Sequence, residues 1–204
     1  MTSSPWPFGR LRPRSFDVIA ADPPWLFSLR SPKGEGKSPQ AHYACMDLDA
    51  ICALPVGDLA ADDCWLFLWT CAPLLDRAFD VIRKWDFAYR SRISWRKTTV
   101  NGKVRTGPGF IVRTMTEDIL IGARGAPRFA RALPSIFDGL AREHSRKPDV
   151  FFDLVEDFAP AATRLDLFSR QSRRGWSNWG DEATKFDGVS PARAVGACQT
   201  EGAR

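Results

Sequence analysis

The residues of this chain best equipped for chemistry are Asp22-Pro23-Pro24-Trp25. The prolines fix φ at two successive positions and remove two backbone donors, so the chain turns rigidly and offers carbonyl oxygens. A carboxylate beside a stiff row of acceptors suits the hydrogens of an exocyclic amine on a nucleobase, and the indole offers a face for stacking. The plainer reading is a strand-to-turn corner, with Asp22 bonding a local N–H and Trp25 in the core.

The elements around this stretch would set it at the mouth of a sheet. Phe16 to Ala21 (FDVIAA) is a short apolar run bounded by turn residues, which predicts a buried strand. Asp22 then falls at its carboxyl end, where open α/β sheets bind their ligands. Cys64 to Thr70 (CWLFLWT) is apolar throughout, as expected of a strand buried on both faces of a parallel sheet. Asp47 caps a short predicted helix through Cys52, and Pro73 to about Asp86 has helical spacing of Leu75, Ala78, Phe79 and Ile82. Phe87 to Lys97 and Asp118 to Gly122 predict two further strands, joined by a connector rich in turn signals from Thr98 to Thr116. Gly125 to Leu140 reads as a loop. Pro148 opens a helix carrying Phe151, Leu154, Val155 and Phe158 on one face, and Thr163 to Ser169 is the last predicted strand. Asp166 near its end is in position to bond ribose hydroxyls. Arg30 to Ala41, without hydrophobic periodicity, is expected to be a mobile loop beside the site.

Composition narrows the classes. At 204 residues with 44% hydrophobic residues, a single domain over residues 15–185 is expected. Residues 1–14 read as a flexible N-terminus and 186–204 as a disordered tail. No apolar run approaches a membrane span, and the first residues do not resemble a signal peptide, so a cytoplasmic protein is expected. Five cysteines without C-x-x-C spacing and two histidines predict neither zinc site nor disulfide scaffold, and no metal is expected. Neither a G-x-G-x-x-G nor a P-loop pattern occurs. The net charge of +5 is unevenly spread: Arg83 to Arg131 holds 12 basic and 3 acidic residues, giving +9 there and −4 elsewhere. Lys97, Lys103, Arg105 and Arg113 on the connector are candidates to grip a nucleic-acid backbone.

Asp-Pro-Pro-Trp after an apolar strand resembles the hallmark of the DPPW-type adenine-N6 methyltransferases. That family includes the catalytic subunit of the eukaryotic mRNA adenosine methyltransferase and small bacterial and phage DNA methyltransferases. Further segments match in the family's order over about Phe16 to Glu182: His42-Tyr43, Arg113 with Glu117, His144-Ser145-Arg146-Lys147-Pro148-Asp149, Leu167-Phe168-Ser169-Arg170 and Gly175-Trp176-Ser177-Asn178-Trp179-Gly180. The chain departs in having Thr116 where a His is usual before the Glu, and Asp181-Glu182 where Asn-Glu is usual. The resemblance implies an α/β, Rossmann-like S-adenosylmethionine-dependent methyltransferase fold in permuted order, with a mainly parallel sheet and one antiparallel hairpin. It implies methyl transfer from S-adenosylmethionine to the N6 amine of adenine, with Asp22, Pro23, Pro24 and Trp25 at the reacting amine. Asp22, Lys147, Asp166, Arg170, Asp181 and Glu182 would hold the cofactor; Lys147 and the helix start beside it suit the carboxylate of its methionine moiety. Tyr43, Arg113 and Glu117 would join the basic connector on the substrate. DNA is the preferred substrate. Adenine in RNA, cytosine N4, a catalytically silent nucleic-acid-binding subunit and a homo- or heterodimer remain open readings.

Overall fold

The computed structural model describes residues 6–26, 45–107, 111–143 and 146–188. The chain enters its sheet at once. β1 (Phe16–Ala21) lies at the centre, with β2 (Ala60–Thr70) on one side and β6 (Arg164–Leu167) on the other, both parallel to it. The seven strands run in the order β5-β3-β4-β2-β1-β6-β7. β3 (Ala88–Thr98) and β4 (Thr116–Arg124) form the antiparallel hairpin, and β4 is also antiparallel to β2. β5 (Ile136–Leu140) runs parallel to β3, and β7 (Trp176–Trp179) parallel to β6. The sheet is thus mainly parallel with β4 reversed, as expected. One detail differs: β2 is buried as the sequence predicts, but parallel on its β1 side only.

Helices cover both faces, which is why β1 and β2 are apolar without alternation. Ile19 and Ala21 of β1 and Leu66 and Leu68 of β2 pack on the face covered by α1 (Leu48–Ala53) and α2 (Leu75–Lys84). Val18, Ala20, Phe67 and Trp69 point the other way, onto Phe151, Val155 and Phe158 of α3 (Asp149–Phe158). Successive strand side chains alternate between faces, so one strand feeds two cores. Asp47 caps α1 as predicted, its carboxylate accepting from Ala50 N at 2.7 Å. α2 starts later than expected, after a 3₁₀ turn at Ala72–Leu74 that holds Pro73.

Three sequence expectations need correction. Gly125 to Leu140 is not all loop: its last five residues are β5. Ile-Phe-Asp-Gly-Leu carries an Asp and a Gly, which hides a short edge strand from propensity. Residues 6–14 are not loose, for Phe8 is 1% exposed and sits edge-on to Trp179 at 5.1 Å. At the far end Phe186 is buried, with the Arg170 and Arg146 guanidinium groups over its ring at 5.5 and 5.1 Å. Residues 189–204 of the expected tail, and the expected loop from Arg30 to Ala41, lie outside the described residues. Among the described residues no helix is long and apolar enough to cross a membrane, and no three His, Cys, Asp or Glu side chains converge as a metal group.

Candidate active site

At the end of β1 the two prolines turn the chain as the sequence requires, but their carbonyls are not bare. Trp25 N donates to Pro23 O at 2.8 Å and Met46 N to Pro24 O at 2.8 Å, while Leu26 N returns to Met46 O at 3.0 Å. Each carbonyl keeps its second lone pair. The expected row of open acceptors is therefore a half-occupied one. Trp25 also differs from expectation. It is 7% exposed, belongs to the α1/α2-side core, and donates its indole N–H to Trp69 O at 3.1 Å. An indole needs a partner for its N–H when buried, and meeting that need takes the ring out of reach of a stacking base.

Asp22 belongs to a chain of alternating charges. Lys147 Nζ lies 3.0 Å from Asp22 Oδ2 and 3.0 Å from Glu117 Oε2, and Lys97 Nζ lies 2.5 Å from Glu117 Oε1. Lys147 also sits 4.6 Å from the centre of the Trp69 ring, a cation–π contact that fixes it at the carboxyl end of β2. These groups come from distant parts of the chain. Asp22 follows β1, Glu117 is on β4, Lys97 on β3, and Lys147 precedes α3. Burial would push Glu117 up, but Lys147 and Lys97 outweigh it and hold the carboxyl down to about 2. Burial would push the Lys147 ammonium down, yet Asp22 and Glu117 hold it charged. Asp22 is the odd member. Burial raises its carboxyl against the pull of Lys147, and Glu117 nearby raises it further.

Asp22, Trp69, Arg146, Lys147, Asp166 and Arg173 line one cavity at this end of the sheet. Burial pushes the Asp166 carboxyl up to about 7, against the hydrogen bond of Ser169 and the charge of Arg173. Phe168, just after β6, has φ of 60°, a left-handed backbone that a bulky residue rarely adopts. Gly180 makes room for it, since a Cβ there would stand 3.0 Å from the Phe168 Cα and carbonyl carbon. The turn leads into Arg170, which pairs with Glu182. Glu182 thus reaches the cavity through Arg170, whereas Asp181 is exposed and outside the cavity lining. Tyr43 lies outside the described residues.

Two side chains here escaped the sequence reading. Arg146 is 4% exposed, held by Gln171 Oε1 at 3.1 Å and Glu143 Oε2 at 3.1 Å, and its Nη2 is buried without a hydrogen-bond partner among the described residues. Arg173 pairs with Asp149 at the start of α3 and lies 3.7 Å over the Phe152 ring. Arg146 stands in the matched segment beside Lys147, which was a signal. Arg173 gave none. The start of α3 is also fixed by Arg142, which donates to Asp149 Oδ2 at 2.8 Å and to the Lys147 carbonyl at 2.5 Å. Pro148 is the residue before the helix rather than in its first turn.

The basic middle stretch divides in two. Arg83, Arg92, Arg96, Lys97, Arg124 and Arg131 are in ion pairs, so much of its +9 is met within the fold. Lys97 accordingly belongs to the Asp22 network, not to a phosphate-gripping face as expected. Lys103, Arg105 and Arg113 are exposed on the connector and make no ion pair among the described residues.

A mainly parallel sheet with one reversed strand, carrying Asp-Pro-Pro-Trp at the carboxyl end of its central strand, is the architecture of a Rossmann-like methyltransferase. The MT-A70 family model matches residues 16–182, and the chain belongs to that family. The chain is 30% identical over 194 residues to the Type II methyltransferase M.MunI of Mycoplasma sp, covering 86% of this chain and 81% of that protein. It is 29% identical over 173 residues to an N(6)-adenosine-methyltransferase MT-A70-like protein of Arabidopsis thaliana. To the human N(6)-adenosine-methyltransferase catalytic subunit METTL3 it is 27% identical over 178 residues. These matches cover 82% and 85% of this chain but 24% and 29% of the plant and human proteins. The chain therefore corresponds to about a quarter of those longer relatives and to most of the bacterial one.

Proposed function

We propose that this chain methylates the N6 amine of adenine in DNA, with S-adenosylmethionine as the methyl donor. The observation that carries the reading is Lys147 held between Asp22 and Glu117 at the mouth of the central strand. Bound S-adenosylmethionine supplies a methyl group made electrophilic by the sulfonium. The cavity residues fit such a molecule: the unpartnered Nη2 of Arg146 and the Lys147 ammonium suit its carboxylate, and Asp166 suits its ribose hydroxyls. Arg170, braced by Glu182, closes the same wall.

Adenine's exocyclic nitrogen is a poor nucleophile because its lone pair is delocalised into the ring. The Asp22 carboxylate accepts the amine's hydrogens, and the spare lone pair of a proline carbonyl takes part in the same hold. Together they favour a pyramidal nitrogen with its lone pair free, and they stabilise positive charge as it grows there. Lys147 keeps Asp22 fixed for that task. Glu117 is a positioning residue, acting through Lys147. An extruded base is required from a duplex, at a few kcal/mol of unpairing.

DNA is favoured over RNA because the relative matched over most of its length is named a Type II methyltransferase, whereas the plant and human relatives named for adenosine match over about a quarter of theirs. A cytoplasmic location goes with that reading. The test is purified protein with labelled S-adenosylmethionine and DNA, RNA or free nucleosides, followed by nucleoside analysis. N6-methyladenine in DNA is the expected product. Label in RNA alone, or in N4-methylcytosine, would overturn it.

A further inference from the structure

The connector between β3 and β4 carries an unusual mixture. Five of the nine exposed large hydrophobic side chains among the described residues are on it: Val100, Val104, Ile111, Val112 and Met115. Ile111 and Val112 are 90% and 76% exposed. Single exposed apolar residues need no explanation, but such a concentration on one segment does. Around them stand Lys103, Arg105 and Arg113, and no acidic residue occurs from Lys97 to Thr116.

The segment is rooted in the candidate active site. Lys97 donates its backbone N–H to Met115 O at 2.9 Å and accepts at its carbonyl from Arg105 N at 2.7 Å. Its side chain meanwhile holds Glu117, which shares Lys147 with Asp22. Thr99 N to Lys103 O at 2.8 Å, with Gly102 at φ 72°, folds the near half back on β3. Gly107 N donates to Thr114 O at 2.6 Å, and Ile111 and Val112, between these two residues in sequence, are the most exposed of the five. A segment both basic and apolar is thus rooted on the same strand ends as Asp22.

We propose that Ile111 and Val112 form a wedge that enters the base stack of duplex DNA and fills the space left by the extruded adenine. Apolar side chains inserted between base steps unstack them, and cations on either side hold the flanking phosphates. Charge decides this occupant. In a seam where two copies meet through this same segment, Lys103, Arg105 and Arg113 of each would face those of the other, like charge against like, whereas a phosphate backbone complements them. The inference rests on the DNA reading above.

The test compares native and heat-denatured DNA, free of N6-methyladenine, as methyl acceptors for the wild type and for the double variant Ile111→Ser, Val112→Ser. Denatured DNA needs no extrusion. The double variant should lose at least tenfold in rate on native DNA and stay within about twofold of wild type on denatured DNA. Ile111→Met with Val112→Leu should restore native-DNA activity, which a lost fold would not allow. An equal loss on both DNAs, or none on native DNA, overturns the wedge while leaving DNA methylation standing. Wild-type protein that methylates neither DNA removes the parent reading and the wedge together. A wild-type dimer that becomes monomeric in the double variant by sedimentation makes the segment a seam between copies and also overturns it.

Discussion

The proton affinity of Asp22 is set by competition for one ammonium. Lys147 serves two carboxylates, and Glu117 has Lys97 as well, so Glu117 is firmly ionised and Asp22 is left with a raised carboxyl. In the proposed reaction Asp22 accepts the amine's hydrogens, which requires it to be ionised. Activity should therefore fall as pH drops through a value above the ordinary carboxylate range. Glu117→Gln removes a repelling charge and leaves Lys147 to Asp22 alone. The acid limb of the kcat/KM profile should then move to lower pH, and an unmoved limb would take Asp22 out of that limb. Asp22→Ala should lower kcat by at least ~100-fold, as removing a preorganised group at developing charge does. Asp22→Asn should retain more, since its amide oxygen still accepts; circular dichroism checks that both variants fold.

Strands and loops bring these residues together, and two predictions concern them. Gly139 of β5 lies where a Cβ would stand 2.6 Å from Trp95 Nε1 and 2.7 Å from Pro148 Cβ. Trp95 Nε1 donates to the Gly139 carbonyl at 2.8 Å, so the edge strand is seated against the residue that follows Lys147. Gly139→Ala should lower stability by about 1–3 kcal/mol, the range for overpacking, and weaken cofactor affinity by calorimetry through displaced Lys147. Affinity unchanged in a destabilised variant would make β5 a purely structural support. On the connector, changing Lys103 and Arg105 to Ala should flatten the slope of log affinity for DNA against log salt by about one to two units, roughly 0.7–0.9 for each phosphate no longer neutralised. Cofactor binding should not move. The sequence disclosed β1, β2, the hairpin and α3, because long apolar periodicity survives without context. It hid β5 and β7, since short strands holding Asp, Gly or Asn exist only by pairing with a neighbour. It also could not reveal that Lys97 faces a carboxylate 20 residues on, because that pairing depends on hairpin register.

The molecule as a whole carries a half-buried carboxyl whose charge opposes folding. Asp166 is pushed up to about 7 in the fold, from about 3.8 in the open chain. Between those values the folded state holds the extra proton, so this group's contribution to stability falls as pH rises through the window and stays low above it. Asp166→Asn cannot ionise, and its gain in Tm over wild type should be larger at pH 8 than at pH 5. Equal gains would mean that the carboxyl is solvated. At this scale the matched segments told most: the order of motifs along the chain disclosed family and fold, while the packing of Phe8 and Phe186 at either end gave no sign. The central position of β1 has a further consequence for how the protein is made. Asp17 and Thr163, which hydrogen-bond across β1 and β6, are 146 residues apart. A chain leaving the ribosome can pair β1 with β2 early, but its other edge stays open, and the cavity lacks a wall, until almost the whole domain has emerged. The emerging domain must therefore carry an apolar strand edge uncovered until β6 appears, a template for mispairing. Methyl-transfer competence would then arrive all at once, with the last strands.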